Sequence, residues 1–201
     1  MKKVILLMML SVSVSVSAVN APSYVGSCGF SKSIEKIDIK NAINNKDFQS
    51  AMRIKHNNMV SVKSSIPGRT YKSVDTSSSI PLFLEAAKSN ITYASYEGLQ
   101  TILEGQLTAG ATETARKFTR PLAARLSKAG CCIGYIYSAR SFTREISPDG
   151  KANYAIAKDI IDSGVTACNR KSIDPIVTSI FEATRARINA FLYLSKKGEL
   201  K

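Results

Sequence analysis

"SKAGCCIGYIY", Ser127 to Tyr137, decides the fold, because it sets two of the four cysteines side by side in a stretch with helical apolar spacing. The other two are Cys28 and Cys168. Adjacent thiols serve a redox centre, half of a metal site, or two anchors of a disulfide framework. A zinc site wants Cys or His pairs at ligand spacing, but His56, within "RIKHNN", is the sole histidine and no C-x-x-C occurs. A thioredoxin-like centre needs the two-residue spacer that Cys131 and Cys132 lack. Disulfides are left, and they belong to an oxidising compartment. No metal and no other cofactor is expected.

The first residues point to the same compartment. Lys2 and Lys3 precede the apolar run "VILLMML", and "SVSVSVSAVN" follows, which is the order of a secretory signal peptide. The apolar part is shorter than the roughly 20 residues of a spanning helix. Cleavage after Ala18 fits small residues at both recognition positions, whereas cleavage after Ala21 leaves an awkward bond to Pro22. We expect a signal peptide over 1–18 and one helical domain over 19–201, with an irregular region at 19–79. The short "MKK" start suits a bacterial periplasmic or secreted protein. Losing Lys2 and Lys3 lowers the formal charge only from +13 to +11, so anionic partners are favoured.

Beyond residue 80 the apolar spacing is helical. Leu84, Ala87, Ile91 and Ala94 form one stripe, and Leu99, Ile102, Leu103 and Leu107 extend it, predicting a long helix after Pro81 bent near Gly98. A second helix from Thr112 carries Ala115, Phe118, Leu122, Leu126, Ala129, Ile133 and Ile136 on one face, weakened at Pro121 and Gly130, with a kink at Pro121. "SPDG", Ser147 to Gly150, is a turn by residue type, and the next helix buries Tyr154, Ala157, Ile161, Val165 and Cys168. Asp174 as N-cap, Pro175 at the first position and Gly198 at the end frame the last helix. Earlier, "SIEKIDIKNAINNKDFQSAMRI" predicts one or two short helices packed through Ile34, Ile37, Phe48 and Met52. "MVSVKSSIPGRTYKSV" reads as a small β-hairpin near 60–74 or an ordered loop. The fold class is mainly all-α, a disulfide-stapled bundle of about four to six helices.

On a helical wheel Cys132 lies beside Phe118 and Ala129 on the buried face, and Cys131 points away. An antiparallel hairpin turning near Pro148 brings Cys132 level with Cys168, giving a Cys132–Cys168 bridge. Cys131 then pairs with Cys28, which Gly26 and Gly29 flank. Exchange of Cys131 and Cys132 stays open, since a kink at Gly130 rotates the wheel.

"CIGYI", Cys132 to Ile136, followed by Cys168 and an amphipathic helix, resembles a pattern in the Tai-type immunity proteins, small helical periplasmic proteins that neutralise amidase effectors of type VI secretion. The likeness spans roughly the last 75 residues. It departs from the family at Tyr137 to Ala139 and in having no proline directly after Cys168. It implies a helical inhibitor held by disulfides, and carries over only the scaffold residues Cys132, Gly134, Tyr135 and Cys168. Read without the family, a glycine followed by an aromatic after a cysteine is a device for close helix packing.

Enzyme signals are thin. A serine or cysteine hydrolase normally needs a histidine base, and His56 has no acidic neighbour in sequence and reads as a solvated residue. "GQLTAG" lacks the lysine and strand of a phosphate loop. Glu85, Glu97 and Glu104 share one helix, and Glu97 and Glu104 one face, which reads as a solvated acidic stripe. We expect no catalytic residues.

Charge is better organised. Residues 75–107 hold four acids and one base, and 113–151 eight bases and three acids. Arg116, Lys117, Arg120 and Lys128 fall on the exposed side of their helix, making a basic patch, while Arg125 and Arg140 fall nearer the buried stripe and are placed to pair with the acidic helix. Nucleic acid is a poor partner for an exported chain without an aromatic stacking platform. An acidic protein fits better, with anionic lipid or wall polymer as the other anionic surfaces. Two function classes follow: a non-enzymatic periplasmic immunity or inhibitor protein, and a secreted cationic effector acting on membrane or wall. The Asn90-Ile91-Thr92 sequon matters only in a eukaryotic secretory pathway.

Overall fold

Ser23 accepts the Gly26 amide with its hydroxyl, and this cap starts a helix where irregular chain was expected. The computed structural model describes residues 23–57, 59–63, 70–74, 78–105, 111–143, 147 and 152–197. The expected signal peptide, the 148–150 turn residues and Gly198 lie outside them. The elements run α1 (Tyr24–Cys28), α2 (Lys32–Asn44), α3 (Lys46–Asn57), β1 (Met59–Lys63), β2 (Thr70–Val74), α4 (Ile80–Lys88), α5 (Thr92–Gly105), α6 (Ala111–Lys128), α7 (Cys132–Arg140), α8 (Tyr154–Ser163), α9 (Val165–Cys168) and α10 (Pro175–Lys196). Strands β1 and β2 pair antiparallel, with Met59 opposite Val74 and Lys63 opposite Thr70. The fold is a mainly all-α, disulfide-stapled bundle with one hairpin, and the described residues form ten helices because three of the expected long helices are broken, while the last, α10, runs whole.

Of the weak points that the residue types suggest, Gly130 ends a helix and Gly98 and Pro121 do not. The first break comes at Ser89–Asn90, with Asn90 at φ 60°, a left-handed conformation that asparagine tolerates better than most residues. Gly98 instead lies inside α5, where an added Cβ would press on Phe83 and Leu122. Helix α6 likewise continues through Pro121 and stops at Gly130, whose φ is 77°. There the Cys131 amide bonds to the Leu126 carbonyl (3.0 Å) and the Gly130 amide to the Ser127 carbonyl (2.9 Å), the Schellman arrangement that uses the last carbonyls of a helix.

That turn explains the adjacent cysteines. Cys131 lies outside both helices as the N-cap position of α7, and Cys132 is its first residue, so the thiols diverge at a chain reversal and not around one continuous wheel. Cys28 is bonded to Cys131 and Cys132 to Cys168, the same two pairs that the wheel suggested, and all four residues are buried. Gly134 then lets α7 lie against α6, since a Cβ there would overlap the Leu126 and Ser127 backbone.

Four apolar clusters fill the interior. The C-terminal one joins Ile136, Ala157, Ile161, Val177, Phe181 and Ile188, with Cys132 and Cys168 among them. Asp174 caps α10 by accepting the Ile176 amide at 2.8 Å, with Pro175 behind it. The expected helix 154–168 is interrupted at Gly164 but keeps Ala157, Ile161 and Cys168 inward. In the N-terminal arm Phe48 is buried as expected, and its neighbour is Phe83, but Ile34 and Ile37 are exposed, at 53% and 63%. Helix α2 turns Asp38 and Ala42 inward, because its inner contact is a capping carboxylate and not an apolar stripe.

Candidate functional site: a basic cleft between α5 and α6

The start of α5 is built by a residue far away in sequence. Asp38 of α2 accepts the amides of Thr92 (3.1 Å) and Tyr93 (2.5 Å) and the hydroxyl of Tyr24 (2.7 Å), so one carboxylate caps α5 and ties α1 and α2 to it. Burial, and then the Asp38 carboxylate, push the Tyr24 phenol well above its ordinary value. Burial, and then Glu97, do the same to Tyr93. Both phenols therefore stay neutral donors through the physiological range.

Glu97 does not lie on a solvated stripe. It pairs with Lys55 of α3 at 3.2 Å with both side chains 14% exposed, which makes it an anchor for the arm. Glu85 pairs at the surface with Lys88 at 2.6 Å, and the side chain of Glu104 lies outside the described residues. His56 is exposed near the end of α3.

The basic patch is smaller than expected. Lys117 is exposed above the Phe118 ring and Lys128 is exposed at the end of α6, while the side chain of Arg116 lies outside the described residues. Arg120 is half-buried: its guanidinium donates to the Ser141 carbonyl at 2.8 Å and stacks on Phe142 at 4.0 Å. It works as a clamp on the end of α7, because an arginine can bury its planar face on an aromatic ring while its N–H groups find a carbonyl. Arg140 stacks on Tyr137 and not on an acidic helix. Arg125 donates to the Ala87 carbonyl at 3.0 Å, meeting the carbonyl end of α4 and not a carboxylate.

Arg125 and Lys128 share a cleft of about 220 Å³, formed where α4 ends, α5 begins and α6 ends. Ala87, Ile91 and Ala129 supply its apolar lining, and Asn90, Thr92 and Ser95 its neutral polar groups. Among the described residues no carboxylate lines it, so the two cations have no counter-charge in that wall. Of these residues the sequence pattern placed only Lys128 in a basic patch, and it set Arg125 toward the acidic helix. Asn90 and Ser95 come together with Arg125 only because the chain breaks at Asn90, and a left-handed asparagine is not foreseeable from apolar periodicity.

Among the described residues no group of three or more His, Cys, Asp or Glu side chains is placed to hold a metal ion, and no helix is long and apolar enough to cross a membrane. No family model, curated protein or solved structure matches the chain.

Proposed function

We propose that this is an exported, non-enzymatic binding protein, most concretely a periplasmic immunity protein that neutralises a partner effector through its basic side. The observation that carries the binding reading is the cleft, in which Arg125 and Lys128 stand without a carboxylate among the described lining residues and so favour an anionic group from outside. Export is supported by the two disulfides, which persist in oxidising compartments. The immunity role rests on the resemblance of Cys132, Gly134, Tyr135 and Cys168 to the Tai pattern. Gly134 also has a packing duty against α6. That duty is the competing account of the same motif.

The test is protection. Cells exporting the protein should survive delivery of a wall-cleaving amidase of the type VI class to their periplasm, and the purified protein should form a stoichiometric complex that stops hydrolysis. Lysis of the producing cells without any effector would instead mark the protein as a cationic effector acting on membrane or wall.

A further inference from the structure

We infer that the α5–α6 cleft is a carboxylate site, which receives the side chain of an acidic residue from a protein partner. The inference rests on the binding reading above and names the chemistry of its contact. Its independent support is Ser95. That residue is 1% exposed, lines the cleft, and its hydroxyl has no hydrogen-bond partner among the described residues. A buried hydroxyl without a partner is costly, and natural folds rarely keep one that nothing satisfies. Thr119 has a similar unpartnered hydroxyl but does not line the cleft.

The remaining donors suit a carboxylate. Lys128 is exposed, and among the described residues no ion pair engages it. The bond from Arg125 to the Ala87 carbonyl uses one of the five N–H groups of a guanidinium. Ile91, Ala87 and Ala129 offer apolar surface to a short methylene stem. A phosphate group would draw on the amides at the start of α5, but Asp38 already occupies those of Thr92 and Tyr93, and its negative charge opposes a dianion there. The cleft thus offers an ammonium and a guanidinium edge to a monoanion with two oxygens, with the Ser95 hydroxyl buried in its wall.

The experiment uses the full exported protein and a glutamate residue blocked at both ends as N-acetyl methylamide, with the blocked glutamine as its uncharged counterpart. Amide resonances of Thr92, Ser95 and Ala129 should shift saturably with the glutamate probe, with millimolar affinity. Lys128→Gln should weaken binding about tenfold, as expected for losing a charge-assisted contact. Ser95→Ala should weaken binding while leaving the unfolding midpoint unchanged or higher, since the hydroxyl has no bond to lose in the free protein; a lower midpoint with unchanged binding would mean a structural role and overturn the inference. Equal shifts with the glutamine probe would also overturn it, as would indifference to Lys128→Gln. Tighter binding of inorganic phosphate than of the glutamate probe would overturn the carboxylate assignment in favour of a phosphate-bearing ligand. A saturable site in a protein that neutralises no effector would sink the immunity reading alone, and a neutralising complex indifferent to Lys128→Gln would sink the site alone.

Discussion

On one side of the cysteine pair, α7, α8 and α10 close around Ile136, Ile161, Val177, Phe181 and Ile188. On the other, the arm α1–α3 meets the body through Asp38 under the start of α5, the Lys55–Glu97 pair, Tyr24 packed against Tyr93 and Tyr96, and the apolar cluster that joins Ala42, Phe48 and Ala51 to Phe83, Ala86 and Ala87. Branched aliphatic packing is non-directional and tolerant, whereas a carboxylate with three donors works in one geometry. The comparison teaches that two bridges leaving adjacent residues have different duties. Cys132–Cys168 reinforces a core already held by apolar burial, and Cys28–Cys131 secures an arm that depends on a capping carboxylate and an ion pair in addition to its apolar packing.

Removing the bridges tests this most strongly. The bridged cysteines are separated by 103 and 36 residues. In the chain-entropy account the longer loop is worth about 4.7 kcal/mol and the shorter about 3.8. Cys28→Ser with Cys131→Ser should therefore cost slightly more in urea unfolding than Cys132→Ser with Cys168→Ser. Hydrogen exchange sharpens the contrast: only the first pair should release α1 and α2 ahead of global unfolding, because the C-terminal cluster survives without its bridge. Early release of the arm in the second variant would mean that the two halves are not separately held.

Asp38 comes next. Asp38→Ala strands the Thr92 and Tyr93 amides and the Tyr24 hydroxyl together, and we expect a loss of about 3 kcal/mol. Asp38→Asn keeps an acceptor but not the charge opposite the α5 dipole, and should lose about half as much. Exchange at the Thr92 and Tyr93 amides reads the effect directly. A change below 0.5 kcal/mol, which is about the size of an ordinary surface substitution, would show that the other ties hold the arm without this carboxylate.

This division also marks what apolar spacing can and cannot reveal. The stripe Ala157, Ile161 and Cys168, the cap Asp174 and the proline behind it are local patterns, and the structure keeps each where periodicity and capping chemistry put it. Ile34 and Ile37 look like the inner face of α2 and are outside, because the neighbour of that helix wants a hydrogen-bond acceptor, and only the three-dimensional path says so. The turn after α6 was partly legible: Gly130 was recognised as a weak point, but a wheel run through it cannot know that the next residue leaves the helix. For the site, charge spacing found Lys128 and overcounted Arg120, since a cation on an outward wheel position still turns inward when an aromatic ring and a bare carbonyl are within reach.

Arg120 and Lys117 separate clamp from surface charge on one helix. Arg120→Glu removes the bond to the Ser141 carbonyl and the stacking on Phe142, and should cost about 2 kcal/mol in chemical denaturation. Lys117→Glu should change stability by less than about 0.5 kcal/mol. Arg120→Glu therefore cannot be used as a clean probe of partner binding, and the contact is better tested at Lys117 and Lys128. Equal and small losses at 117 and 120 would return Arg120 to the basic surface.

The smallest effect tests whether charge contributes to the apolar half at all. Asp162 of α8 pairs with Lys158 one turn earlier and, at 2.9 Å, with Arg185 of α10, so it links two helices of the C-terminal cluster across their rim. The hydrogen bond from Lys158, aided by Arg185 and opposed by partial burial, holds its carboxyl below the ordinary 3.8. A carboxylate whose pKa is lower folded than unfolded stabilises above the unfolded value, and that contribution is lost as pH falls through the folded one. Stability should thus be full at neutral pH and decline below about pH 4, near the unfolded aspartate pKa. The side chains are 30–40% exposed, so water screens them and each pair is worth about 0.5 kcal/mol. Asp162→Asn should lose about 1 kcal/mol at pH 7 for the two pairs together, less in high salt, and should flatten the decline between pH 4 and pH 2. Urea unfolding of both proteins across that range provides the measurement. A loss beyond about 2 kcal/mol would exceed what exposed pairs supply, and the C-terminal half would then be held by charge as the arm is, which would erase the contrast between them.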